Sequence, residues 1–167
     1  MSMKALVIGN GPSVSGYDPM IHKHLYDFVI GCNHSWQQWP YLDYFVMADR
    51  RNIQYTCDRA DQDILDRTYI KPFFHPNFQR LNKIPTAQPG DISGTMGIRL
   101  AHQLGAEEID CIGFDSITQN IHEKAYSDVP WRKAVPKDIE RWRMTLKTAI
   151  KDVNPTVVKL YKELADV

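Results

Sequence analysis

Five residues near the start of the chain, Gly9-Asn10-Gly11-Pro12-Ser13, combine the parts of a small phosphate or nucleotide cradle. They follow directly on the apolar run Lys4–Ile8. Gly9 and Gly11 let bare backbone come close to a ligand, and exposed N–H groups in such a turn can hold a phosphate. Asn10 adds a donor and an acceptor, while Pro12 stiffens the turn and removes one donor. The spacing is not G-x-G-x-x-G, because Val14 stands where the third glycine belongs. Nor does it make a G-x-x-x-x-G-K-[ST] loop. Taken alone, the turn is equally readable as a strand-to-helix connection that binds nothing.

Four more segments place small and hydrogen-bonding residues where strands end or helices begin. They are Gly31-Cys32-Asn33, Met47-Ala48-Asp49-Arg50, Asp91-Ile92-Ser93-Gly94-Thr95 and Gly113-Phe114-Asp115-Ser116. Asn33 could read a base or a sugar hydroxyl, and Asp49 and Asp115 could each bind a ribose or an ion. Ser93-Gly94-Thr95, at a helix start, suits a carboxylate or phosphate. Asn and Asp are common turn residues, so each position alone is weak. Together they describe a nucleotide pocket.

The elements that must position these residues alternate between strand and helix. Strands are expected at Lys4–Ile8, Asp27–Cys32, Tyr44–Met47, Thr68–Lys71, Ile109–Ile112 and Thr156–Leu160. Helices are expected at Asp18–Leu25, Arg50–Leu65, Gly97–Leu104 (capped by Ser93 or Thr95 and ended by Gly105) and Asp138–Val153. Residues 72–92, with four prolines, read as loop, and 114–136 as a loop or lid. Such alternation implies an α/β fold, a mostly parallel sheet with helices on both faces, whose ligands sit beyond the carboxyl ends of the strands.

Composition fits one soluble domain spanning 1–167, with 43% hydrophobic and 24% charged residues. Lys+Arg and Asp+Glu are both 20, so the charge footprint of a duplex-DNA binder is missing, and no nucleic-acid partner is expected. No apolar run approaches bilayer-spanning length and the first residues do not read as a signal peptide, so a cytoplasmic location is expected. Cys32 and Cys111 sit in apolar surroundings and read, with Cys57, as thiols and not as a zinc site or disulfide frame. His22 and His24 lie two apart and do not share a helix face. Trp36 and Trp39 read as core anchors before base-stacking platforms. The stretch 131–147 is locally basic and reads as a solvated helix face before a surface for a phosphorylated glycan or an acidic partner.

The order of "VIGNGPS", "FVIGCN" and "SGTMGIRLAHQLGAEEIDCIGFD" resembles the small bacterial sialyltransferases of lipooligosaccharide synthesis and their wider superfamily. That superfamily includes the motility-associated glycosyltransferases and the archaeal hydroxymethyl-dihydropterin pyrophosphokinases. The resemblance covers residues 4–33 and 91–116, plus the strand end at Asp49. It implies a Rossmann-like single domain. It further implies that Asn10, Gly11 and Ser13 surround a nucleotide phosphate and sugar, and that Asn33 contacts a cytidine monophosphate moiety. Ser93, Gly94 and Thr95 would hold the donor's carboxylate, and Gly113 and Asp115 would line the same pocket. No metal or other cofactor belongs to that branch, and the acceptor is a glycan.

This chain also departs from the sialyltransferase pattern. The general-base histidine lies well beyond Gly-Ile-Asp in that branch. Here His122 is the only histidine after Asp115, and Tyr126 the nearest tyrosine. His122 is the candidate base for an acceptor hydroxyl and Tyr126 the candidate donor to a departing phosphate. Arg132 and Lys133 could neutralise phosphate charge. Asp49 replaces the asparagine usual in sialyltransferases. Paired with Asp115 it could hold Mg2+ on a nucleoside triphosphate, which is the pyrophosphokinase alternative. A third reading is a nucleotide-binding module without catalysis. A homo-oligomer is compatible with all three.

Overall fold

The structure is a computed structural model that describes residues 2–73, 78, 80–115 and 136–161. Seven parallel strands form one sheet in the order β5-β4-β3-β2-β1-β6-β7. They are β1 (Lys4–Ile8), β2 (Phe28–Cys32), β3 (Tyr44–Val46), β4 (Thr68–Ile70), β5 (Asn82–Lys83), β6 (Glu108–Ile112) and β7 (Val158–Leu160). The α/β, Rossmann-like reading is therefore what the chain adopts. The helices are α1 (Ser35–Gln38), α2 (Arg50–Arg59), α3 (Gln62–Asp66), α4 (Ser93–Gln103) and α5 (Pro136–Val153).

The central strands explain their own sequence. A strand covered on both faces needs apolar residues at every position, not at alternate ones. In β1, Ala5 and Val7 face the core under α4 and α5, where Ile98, Leu100 and Leu146 pack. Leu6 and Ile8 face the opposite core, against Val14, Tyr17, Trp39 and Leu42. β2 divides the same way, with Phe28, Ile30 and Cys32 on the first face and Val29 on the second. Trp39 is thus a core residue, and Trp36 packs beside it with Nε1 donating to Thr56 Oγ1 at 3.0 Å. Cys32 and Cys111 are buried and form no disulfide among the described residues.

Several local expectations need correction. The segment 18–25 is not an α-helix but two short 3-10 turns, Pro19–Ile21 and Lys23–Leu25. The polar stretch 50–65 breaks after Arg59, because Asp61 caps a new helix by accepting the Ile64 N–H at 3.1 Å. The loop 72–92 contains the two-residue edge strand β5. The N-cap of α4 is Ile92, not Ser93 or Thr95. Among the described residues no helix is long and apolar enough to cross a membrane.

The order matters for function. From β1 the chain steps outward through β2 to β5, then returns to the other side of β1 as β6. The crevice between β1 and β6 is the switch point of the sheet, the usual ligand position in such folds. Register places Ile8 opposite Ile112. The turns Gly9–Ser13 and Gly113–Asp115 therefore leave the sheet side by side.

Candidate functional site

These two turns are locked to each other. The Gly9 amide donates to the Ile112 carbonyl at 2.8 Å and the Gly11 amide to the Gly113 carbonyl at 2.6 Å. The Ser13 amide and hydroxyl donate to the two carboxylate oxygens of Asp115, at 3.0 and 2.6 Å. Gly113 adopts φ +72°, a conformation glycine takes without strain. A Cβ on Gly11 would overlap the Asp115 carboxylate. The glycines are thus needed for backbone-to-backbone approach, whatever else they do. Most amides of the turn are engaged internally, including Val14, which donates to the Gly11 carbonyl at 3.2 Å.

Asn10 is the exception. Both polar atoms of its carboxamide are buried and neither has a hydrogen-bond partner among the described residues. Leaving a buried amide group unpaired costs about 1–3 kcal/mol for each group. Asn10 follows β1, whose neighbours in the sheet are β2 and β6, so this unused hydrogen-bonding capacity lies at the switch point.

Beside it, α4 starts without a side-chain cap, because its N-cap Ile92 is apolar. The amides of Ser93, Gly94 and Thr95 have no partner among the described residues. An open helix start favours negative charge. The side chains there serve the fold. Thr95 Oγ1 accepts the Ile92 N–H at 3.1 Å and donates to Asp91 Oδ1 at 3.0 Å. Asp91 in turn binds the buried Arg99, whose Nε lies 2.8 Å away, and Arg99 reaches Asp152 on α5 at 3.1 Å. Gly94 lies against the Phe114 ring, which an added Cβ would meet at 2.8 Å.

Asn33 directly follows β2 at φ +54° and is 9% exposed. Its Oδ1 accepts from Ser93 Oγ at 2.6 Å and from Asn52 Nδ2 at 3.0 Å. Ser93 Oγ also accepts the Ala48 amide at 3.3 Å, which ties the ends of β2 and β3 to the start of α4. Asp49 is exposed and caps α2, accepting the Arg51 amide at 2.7 Å. Lys71, just past β4, donates to the Pro89 carbonyl at 2.8 Å. Burial pushes its ammonium pKa below the ordinary value, with Asp91 acting against that shift.

Of the residues singled out from sequence, Gly9 to Ser13, Gly113 and Asp115 meet at the β1/β6 crevice, while Asn33 joins the end of β2 to Ser93 at the start of α4, whose Gly94 lies against Phe114. Asp49 stands apart from Asp115. Three inter-strand steps separate β3 from β6, about 14 Å at the usual spacing, far beyond the reach of one ion's ligand shell. Among the described residues no group of three metal-ligating side chains exists. The strand spacing thus keeps Asp49 and Asp115 from sharing one ion. His122 and Tyr126, like Arg132, Lys133 and most of the expected lid at 114–136, lie outside the described residues. Sequence reasoning missed Asn52 and the Asp91–Arg99–Asp152 network. A buried asparagine three residues after a helix cap carries no pattern of its own, and ion pairs between distant helices have no local signature. No protein-family model matches this chain, and no curated protein matches it.

Proposed function

We propose that this chain is a glycosyltransferase that binds a nucleotide-activated sugar, of the CMP-sialic-acid-like class, and modifies a glycan. The observation that carries the reading is the buried, unpartnered carboxamide of Asn10 at the switch crevice. Next to it stand the open amides of α4. Neutral donors in a partly desolvated crevice suit a nucleotide monophosphate leaving group without a metal. In this reading the acceptor oxygen forms its bond to the anomeric carbon as the bond from that carbon to the nucleotide phosphate breaks. The acceptor's proton goes to His122, and Tyr126 donates to the departing phosphate oxygen. Both roles rest on side-chain chemistry and on the family resemblance.

Calorimetric titration with CMP, UMP, AMP and GMP, with and without Mg2+, tests this. The expected result is magnesium-independent CMP binding, weakened about 10-fold or more in Asn10→Ala by loss of two hydrogen bonds. The Ala variant should be at least as stable as the wild type, because the carboxamide it loses is buried without a hydrogen bond among the described residues. Triphosphate binding that requires Mg2+ would replace this reading with diphosphate transfer. No binding of any nucleotide would sink both.

A further inference from the structure

A carboxamide shows a ligand one of two faces, and they demand opposite chemistry: Oδ1 needs a donor, Nδ2 an acceptor. Which end of Asn33 faces out is decided by the network behind it. Ser93 sets the sense. Its Oγ accepts the Ala48 amide, so its own hydrogen needs an acceptor, and Asn33 Oδ1 lies 2.6 Å away. Asn52 Nδ2 donates to the same oxygen at 3.0 Å. Were Asn33 reversed, its Nδ2 would face the Asn52 Nδ2 donor, and the Ser93 hydroxyl hydrogen would lose this acceptor. Turning Asn52 over as well would still take this acceptor from the Ser93 hydroxyl, and it would bury the Asn52 amide group where its unpaired Oδ1 now lies. Asn33 Nδ2 is meanwhile not among the buried atoms left without a partner, and it makes no hydrogen bond among the described residues. It is the end that faces outward.

We infer that Asn52 and Ser93 are positioning residues that hold Asn33 as a hydrogen-bond donor, so that the ligand group seated at the end of β2 is an acceptor. Carbonyl oxygens, unprotonated ring nitrogens and phosphate or ring oxygens qualify; amino groups and protonated ring nitrogens do not. The identity of that ligand as a nucleotide rests on the proposed function; the lock itself does not. Asn52 sits on α2, one layer behind the pocket and 1% exposed, so it acts only through Asn33.

The lock is tested first without ligand. In protein labelled with 15N-asparagine, the Asn52 side-chain amide should exchange slowly with water and the Asn33 amide fast. The reverse order overturns the inference. The second measurement is CMP titration on variants whose fold is checked by thermal unfolding. Asn52→Ala frees Asn33 to turn and should weaken binding about 5-fold. Asn52→Asp is an obligate acceptor that pulls Nδ2 inward and presents Oδ1 to the ligand. It should weaken binding several-fold more than Ala does. Asn33→Asp keeps both internal bonds and tolerates the same backbone conformation, yet offers the ligand an anion, and binding should be lost. Equal losses in Asn52→Ala and Asn52→Asp would show that Asn52 only fills space. If wild-type protein binds none of the four monophosphates, the nucleotide reading fails, and the exchange pattern still decides the lock.

Discussion

Removing the Asp115 carboxylate separates a role in the fold from a role in ligand binding. Asp115 is 4% exposed and accepts both the Ser13 amide and the Ser13 hydroxyl. Hydrogen bonds to a charged group are worth about 1.5–3 kcal/mol each when a partner is removed. The pair is only partly buried, so Asp115→Ala should cost about 3–4 kcal/mol. For a chain of this size each kcal/mol lowers Tm by about 2–4 °C, so Tm should fall by about 6–16 °C. Asp115→Asn retains the shape and one acceptor and should cost about half as much. Ser13→Ala should cost about 1 kcal/mol, and the double variant should be less destabilised than the two costs added together, because the two residues share one contact. Urea unfolding followed by circular dichroism gives all four values. Gly11→Ala attacks the same latch from the other side, since its methyl group would displace the carboxylate. Its cost should therefore shrink in the Asp115→Ala background, although the Gly113 carbonyl 2.7 Å from the new Cβ preserves part of it. An Asp115→Ala protein as stable as wild type, to within about 0.5 kcal/mol, but unable to bind nucleotide would refute the latch and make Asp115 a ligand group.

Other consequences follow from burial. In native protein at pH 8 a thiol reagent should modify Cys57 slowly and spare Cys32 and Cys111, which should react only on unfolding; burial pushes the Cys32 thiol up to about 12 and raises Cys111 well above its ordinary value. Burial, reinforced by Asp18, raises the Tyr17 phenol to about 12. The unfolded chain then loses that proton first as pH passes 10, so stability should fall between pH 10 and 12, by at most about 2–3 kcal/mol. Tyr17→Phe should flatten that decline in urea midpoints measured against pH. Gly94→Ala would press a methyl group into Phe114 and should cost about 1–3 kcal/mol, most of it recovered in a Gly94→Ala, Phe114→Leu double variant.

What was legible in the sequence follows from how each residue is used. The central strands were readable because both faces of β1, β2 and β6 are buried, which forces continuous apolar runs. The edge strand β5 was not. Its two residues are polar, and Asn82 joins the sheet in part through a side chain that donates to the Asp66 and Thr68 carbonyls. The start of α4 misled for a similar reason. Ser93 and Thr95 have the right chemistry for caps, but Ser93 is committed to Asn33, and Thr95 closes the turn from its third position. A residue type suggests what a side chain can do, while its neighbours decide which of those options is taken.

The same distinction reinterprets Gly9-Asn10-Gly11-Pro12-Ser13. A glycine turn after a first strand is commonly read as a phosphate nest, with backbone amides as the binding groups. Here the amides of Gly9, Gly11 and Ser13 are all bonded to the end of β6 or to Asp115, and Pro12 has none to offer. The turn is rigid because it is latched, and the latch holds Asn10 with its carboxamide unsatisfied. Recognition at this turn would therefore run through Asn10, by its carboxamide and its own backbone amide, and the open end of α4, not through a ring of backbone amides. A ligand held that way gains little from charge at the turn itself. Its affinity for CMP should accordingly depend weakly on ionic strength between 50 and 500 mM NaCl, in contrast to a site built on lysines and arginines. A strong salt dependence would place cations in the site and move the phosphate away from this turn.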